Sequence, residues 1–139
     1  MSNDPSDRHE RAGGAHVGGP SRSLHDMAAL LGGRVWMERR LFGVLGGWVT
    51  STPEPSVKRF FDEMSRRHGW HADIWFYRLP EVSAIDAPAL VVPAHDSIVA
   101  VFDLLESTSS TVARLGGAHR VLLPRIITAY RDTLAGLGA

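Results

Sequence analysis

From residue 24 onward, apolar positions recur at helical steps. In the first segment Leu24, Met27, Leu31, Val35, Phe42, Leu45 and Val49 form one stripe, and the gap between Val35 and Phe42 is filled by Glu38. Ser23 with Asp26 three residues on predicts a capping box that starts this helix. Ser51-Thr52-Pro53-Glu54 ends it and opens the next, with Thr52 as cap and Pro53 in the first turn. The second stripe reads Val57, Phe61, Met64, His68, His71, Trp75 and Leu79 and stops before Pro80. Its steps of four and three run through both histidines, which predicts that His68 and His71 lie on the buried face.

Residues 80–93 contain three prolines and no periodicity, and read as an extended connection. Asp96 or Ser97 caps a third helix with Ile98, Phe102, Leu105, Val112 and Leu115 apolar, and Gly116-Gly117 is expected to break it. A fourth starts near His119, with Leu123, Ile127, Tyr130 and Leu134 on one side and Pro124 near its first turn or kinking it. The prediction is all-α: an antiparallel four-helix bundle over residues 23–139, with a long connection between helices 2 and 3. Double glycines inside such helices mark either close approach to a neighbour or helix ends. The second reading is taken for Gly46-Gly47 and Gly116-Gly117.

Residues 1–22 are polar and glycine-rich, with three acids and three arginines, and are expected to form a disordered tail that can be deleted. No apolar run approaches the roughly 20 residues of a membrane span, and the N-terminus lacks a signal-peptide core, so a cytoplasmic location is expected. Fifteen basic residues balance fifteen acidic ones, which removes the global field that recruits nucleic acid or anionic membrane. With no Cys, the metal ligands available are His, Asp and Glu.

If helices one and two turn back on each other near Thr52, Glu38 faces the neighbourhood of residue 66. His68 and His71 then lie about 3 and 8 Å away along the axis. A carboxylate and two imidazoles thus converge in the interior, where an unpaired charge is costly. Two explanations stand. Glu38 pairs with one histidine, or with Arg34 or Arg67, while the other histidine bonds a carbonyl; or all three ligate iron, manganese or zinc. Glu106, one place from the stripe of helix three, is a candidate further carboxylate, and Tyr130 is either a donor to the site or a core tyrosine.

These residues resemble the ferritin-like superfamily of carboxylate-bridged di-iron bundles, in which one helix gives a Glu and the next a Glu-x-x-His. Glu38 matches the first, and His68-Gly69-Trp70-His71 matches the second with His in place of Glu. The stretches LGGRVWMERRLFGVLGGW and RRHGWHADIWFYRLPE are similar to actinobacterial members of that superfamily. The resemblance implies an iron-dependent oxidoreductase or oxygenase-type protein with metal ligands Glu38, His68, His71 and Glu106. The non-enzymatic alternative is a scaffold or dimerisation module with a buried Glu/His network. Residues 107–139 hold a single acid, Asp132, and no Glu-x-x-His. The trio is therefore expected to be completed from outside them, by a second copy in a homo-oligomer or by a segment beyond a truncated end. The reaction and its small-molecule substrate are not legible in the sequence.

Overall fold

A computed structural model describes residues 23–81 and 86–137, so the proposed tail lies outside the described residues. These residues are helical with no strand among them: α1 (Leu24–Ser51), α2 (Pro55–Phe76), a single 3-10 turn (Pro88–Leu90), α3 (Asp96–Glu106), α4 (Thr111–Gly116), a π-helical turn (Gly117–Leu122) and α5 (Leu123–Leu137). None of the helices is long and apolar enough to cross a membrane.

The Ser23–Asp26 box forms as expected, with Asp26 N–H donating to Ser23 Oγ at 3.1 Å and Ser23 N–H to Asp26 Oδ2 at 3.3 Å. The turn between α1 and α2 departs from expectation by two residues. Thr52 closes α1, donating its hydroxyl to Trp48 O at 2.7 Å, and the proline in the first turn of α2 is Pro55. Thr52 is extended, the conformation that a following proline imposes on its neighbour. Helix α3 is preceded by His95 as N-cap, with no side chain capping it, where Asp96 or Ser97 was expected.

The pair α1 and α2 runs antiparallel: Glu38 meets His68, Ser65 donates to Phe42 O, and further along Trp48 packs on Phe61 with ring centroids 5.2 Å apart. The buried line on α1 is Ala28, Gly32, Val35, Glu38, Leu41, Leu45 and Trp48, while Leu24 and Phe42 are exposed. The helices α1, α2, α3 and α5 and the π-helical turn give residues to one core, including Leu41, Trp48, Phe61, Phe102, Leu122 and Ile126. The connection after α2 is not wholly extended. Its 3-10 turn packs on α1 at Gly32, where an added Cβ would stand 2.0 Å from the Leu90 carbonyl oxygen.

The expected break at Gly116-Gly117 is corrected. The helix ends at Glu106, and the interruption is Ser107-Thr108-Ser109-Ser110. Ser107 and Thr108 hydroxyls both donate to Leu104 O, and Ser110 caps the next helix at Ala113 N, so side chains take over the backbone's hydrogen bonds. Arg114, buried, secures this turn to the rest: its Nε–H donates to Thr108 O at 2.8 Å and its Nη1–H to Thr52 Oγ1 at 3.3 Å, over the ring of Trp48. From Thr111 the chain stays helical to Leu137, widening into a π-helical turn in which Leu123 N–H reaches back five residues to Ala118 O. Pro124 accounts for the widening, because in an α-helix its ring would collide with the carbonyl of Arg120. Gly117 lets this turn press on α3, since a Cβ there would lie 2.6 Å from Leu105 Cδ2. Gly117 is therefore a contact point in a continuing helix, and neither glycine breaks it.

On α5 the buried positions are Ile126 and Thr133, preceded by Ala118 and Leu122 in the π-helical turn; Ile127 and Leu134, expected inside, are exposed. Arg34 settles which face turns inward: its Nη2 donates to Ala129 O at 2.7 Å and Thr133 Oγ1 at 2.8 Å.

Candidate metal centre

Glu38 stands in the middle of α1 with no exposed surface. An isolated carboxylate there would be costly, and both of its oxygens are occupied. His68, one buried step beyond Ser65 on α2, places Nδ1 2.6 Å from Glu38 Oε2. Tyr130 Oη, from α5, donates to Glu38 Oε1. Trp75 Nε1–H in turn donates to Tyr130 Oη at 3.2 Å, and the Arg34 guanidinium lies over the phenol ring, 5.2 Å from its centroid. Three helical segments thus converge on one carboxylate.

His71 Nδ1 lies 3.8 Å from the same Oε2. Its burial is the part of the expectation that fails: the His71 side chain is 42% exposed against 7% for His68. The buried line of α2 passes through Phe61, Ser65, His68 and Ala72, which leaves His71 on its flank. One ligand atom from each of Glu38, His68 and His71 lies within 4.8 Å of the others, so the group could hold a metal ion, with His71 on the solvent side.

Glu106 is not brought to this group. It is the last residue of α3, half-exposed, and pairs with Arg40 Nη1 at 3.0 Å, while Asp103 takes Arg40 Nη2 at 3.1 Å. Of the two readings of Tyr130, the structure has the donor: from within residues 107–139 it supplies a hydroxyl to the carboxylate. Arg34 belongs to the surroundings of the site, but through Tyr130 and not by pairing with Glu38. Nothing in the spacing of residues 34, 38 and 130 signals that contact.

Burial, first of all, pushes the Tyr130 phenol above the ordinary tyrosine range, helped by its hydrogen bond to Glu38 and by the carboxylate's charge. Burial lowers Arg34 from the ordinary guanidinium range, partly offset by Tyr130, Asp132 and Glu38. A raised phenol stabilises the fold fully below the ordinary tyrosine value of about 10, and that contribution is lost as pH climbs through the raised value. Tyr130→Phe should therefore lower stability by about 1.5–3 kcal/mol near neutrality, as for a hydrogen bond to a charged group. The gap between wild type and variant should narrow above about pH 10. Thermal melts from neutrality to alkaline pH check this; a gap independent of pH would refute it. Tyr77, the other tyrosine, is exposed.

No family model, curated protein or solved structure matches the chain.

Proposed function

We propose that this protein is a metal-binding helical bundle of ferritin-like type, holding one first-row transition metal between Glu38, His68 and His71, with iron the first candidate. The carrying observation is that a fully buried carboxylate and two imidazoles present ligand atoms within 4.8 Å of one another. Imidazole nitrogen with carboxylate oxygen suits iron, manganese or zinc. Three protein ligands leave coordination positions free, which is what an oxidoreductase or oxygenase-type role requires. The antiparallel pairing of α1 and α2 supports the ferritin-like reading, and the residues of α5 set its limit. Where the second pair of a di-iron bundle carries its own Glu-x-x-His, this chain brings Tyr130, which favours a mononuclear centre. With Tyr130 holding Oε1, Glu38 offers Oε2 to the ion and the half-exposed His71 offers the path by which it enters.

A second reading has one observation in its favour. His68 Nε2 is buried with no hydrogen-bond partner among the described residues. When Nδ1–H donates to Glu38, Nε2 carries only a lone pair; metal at Nδ1 would move the proton to Nε2, where no acceptor waits. On that ground Glu38, His68 and Tyr130 form a hydrogen-bond network in a non-catalytic bundle.

Metal loading separates the two. Protein stripped with a chelator, loaded with iron, manganese or zinc and desalted is expected to retain one ion per chain. At a hundredfold excess over the dissociation constant the ion should stabilise the fold by about 2.7 kcal/mol. Uptake should weaken toward acid pH as protons compete for the imidazoles. His71→Ala should abolish the metal-dependent thermal shift while changing the metal-free melt little, because its side chain is half out of the core. Absence of both stoichiometric metal and thermal shift leaves the network reading.

A further inference from the structure

A cavity of about 470 Å³ opens between α1, the start of α3 and α5. That size is typical of a site for one small molecule. Its walls are mainly apolar, with Trp36, Met37, Ile98, Val101 and Ile126 among them. The charged groups that reach it are Arg34, Arg125 and Asp132, so cations exceed anions by one. Arg34 has no carboxylate within ion-pairing distance among the described residues; its Nη2 is spent on a carbonyl and a hydroxyl. The start of α3 adds to the same sign. His95, Ser97 and Ile98 line the cavity, no side chain caps that end, and Asp96, the acid of the first turn, is not among the lining residues. Ile98 N–H is spent on His95 O at 3.1 Å, and the N–H groups of Asp96 and Ser97 ahead of it favour an anion.

We propose that this cavity binds a small monocarboxylic acid with an apolar body. The body lies among Trp36, Met37, Ile98, Val101 and Ile126, and the carboxylate faces the arginines and the start of α3. One excess positive charge matches a single carboxylate better than a doubly charged phosphate, and a guanidinium fork can donate two parallel hydrogen bonds to a carboxylate. Arg34 stands over Tyr130, which bonds Glu38, so the cavity connects to the surroundings of the carboxylate through Arg34. The proposal does not rest on the metal reading, and its test is made without metal.

Calorimetric titration of the full, chelator-treated chain with octanoate and with octanamide decides it. Octanoate is expected to saturate one site, and octanamide, with the same chain and no charge, to bind at least tenfold more weakly. Ile98→Trp, which fills the cavity, should remove octanoate binding. Arg125→Gln, at an exposed position, should weaken it several-fold without affecting the fold, and serves if the tryptophan variant fails to fold. No saturable octanoate binding, equal binding of the amide, or unchanged affinity in Arg125→Gln would overturn the proposal.

Discussion

Glu38→Ala is expected to cost about 2–6 kcal/mol in the metal-free protein, from two donors left without an acceptor at about 1–3 kcal/mol each. For a domain of this size that is a fall in Tm on the order of 15 °C. The reason is in what remains: buried His68 Nδ1 and the hydroxyl of half-buried Tyr130 both lose their acceptor. Glu38→Gln should fall between, since an amide oxygen accepts from one of them but carries no charge. Removing the whole network should hurt less than removing its centre. A triple variant, Glu38→Leu with His68→Leu and Tyr130→Phe, is expected to melt above Glu38→Ala, because apolar groups of similar volume leave nothing unpaired. Denaturant melts of the three variants measure this. A loss below about 1 kcal/mol for Glu38→Ala would mean the carboxylate is not held as described.

Gly32→Ala is expected to destabilise by about 3 kcal/mol, the upper range for overpacking a closed site. Helix propensity alone argues the other way by about 1 kcal/mol, so the sign is informative. The new Cβ would stand 2.0 Å from Leu90 O and 2.6 Å from its carbonyl carbon, and backbone cannot swing aside as a side-chain tip can. The turn at Pro88–Leu90 would have to lift off α1. Gly33→Ala is the matched control: its Cβ would meet Ala94 Cβ at 3.6 Å, an ordinary contact, and propensity should then raise stability. Thermal melts of the two neighbours should move in opposite directions. Equal shifts would show that the connection does not rest on Gly32.

Glu38 opposite His68 was legible because each interrupts an apolar stripe at the same height of two helices joined by a short turn. Less legible was where each stripe is centred. On α1 the line of burial passes through Ala28 and Gly32, whose small side chains allow close approach, whereas a pattern built on large residues placed Leu24 and Phe42 inside. Ser65 and Ala72 play the same part on α2, and overlooking them turned His71 from a flank residue into a core one. Leu122-Leu123 and Ile126-Ile127 are doublets, so two neighbouring faces of the last helix are equally apolar, and the choice is made by Arg34 bonding Thr133. Contacts between residues as far apart as 34 and 133, or 38 and 130, leave no local trace. Hence Tyr130 could be suspected as a donor but not placed on Glu38.

The π-helical turn at Gly117–Leu122 carries one residue more than the α-helix it interrupts, and the helix resumes after it without a change of face. That surplus is a form of tolerance. With Pro124 also replaced, a chain one residue shorter there could close the turn into ordinary α-helix and still aim Ile126, Tyr130 and Thr133 at α1. The distance along the chain from Ser110 to Tyr130 is then adjustable by one.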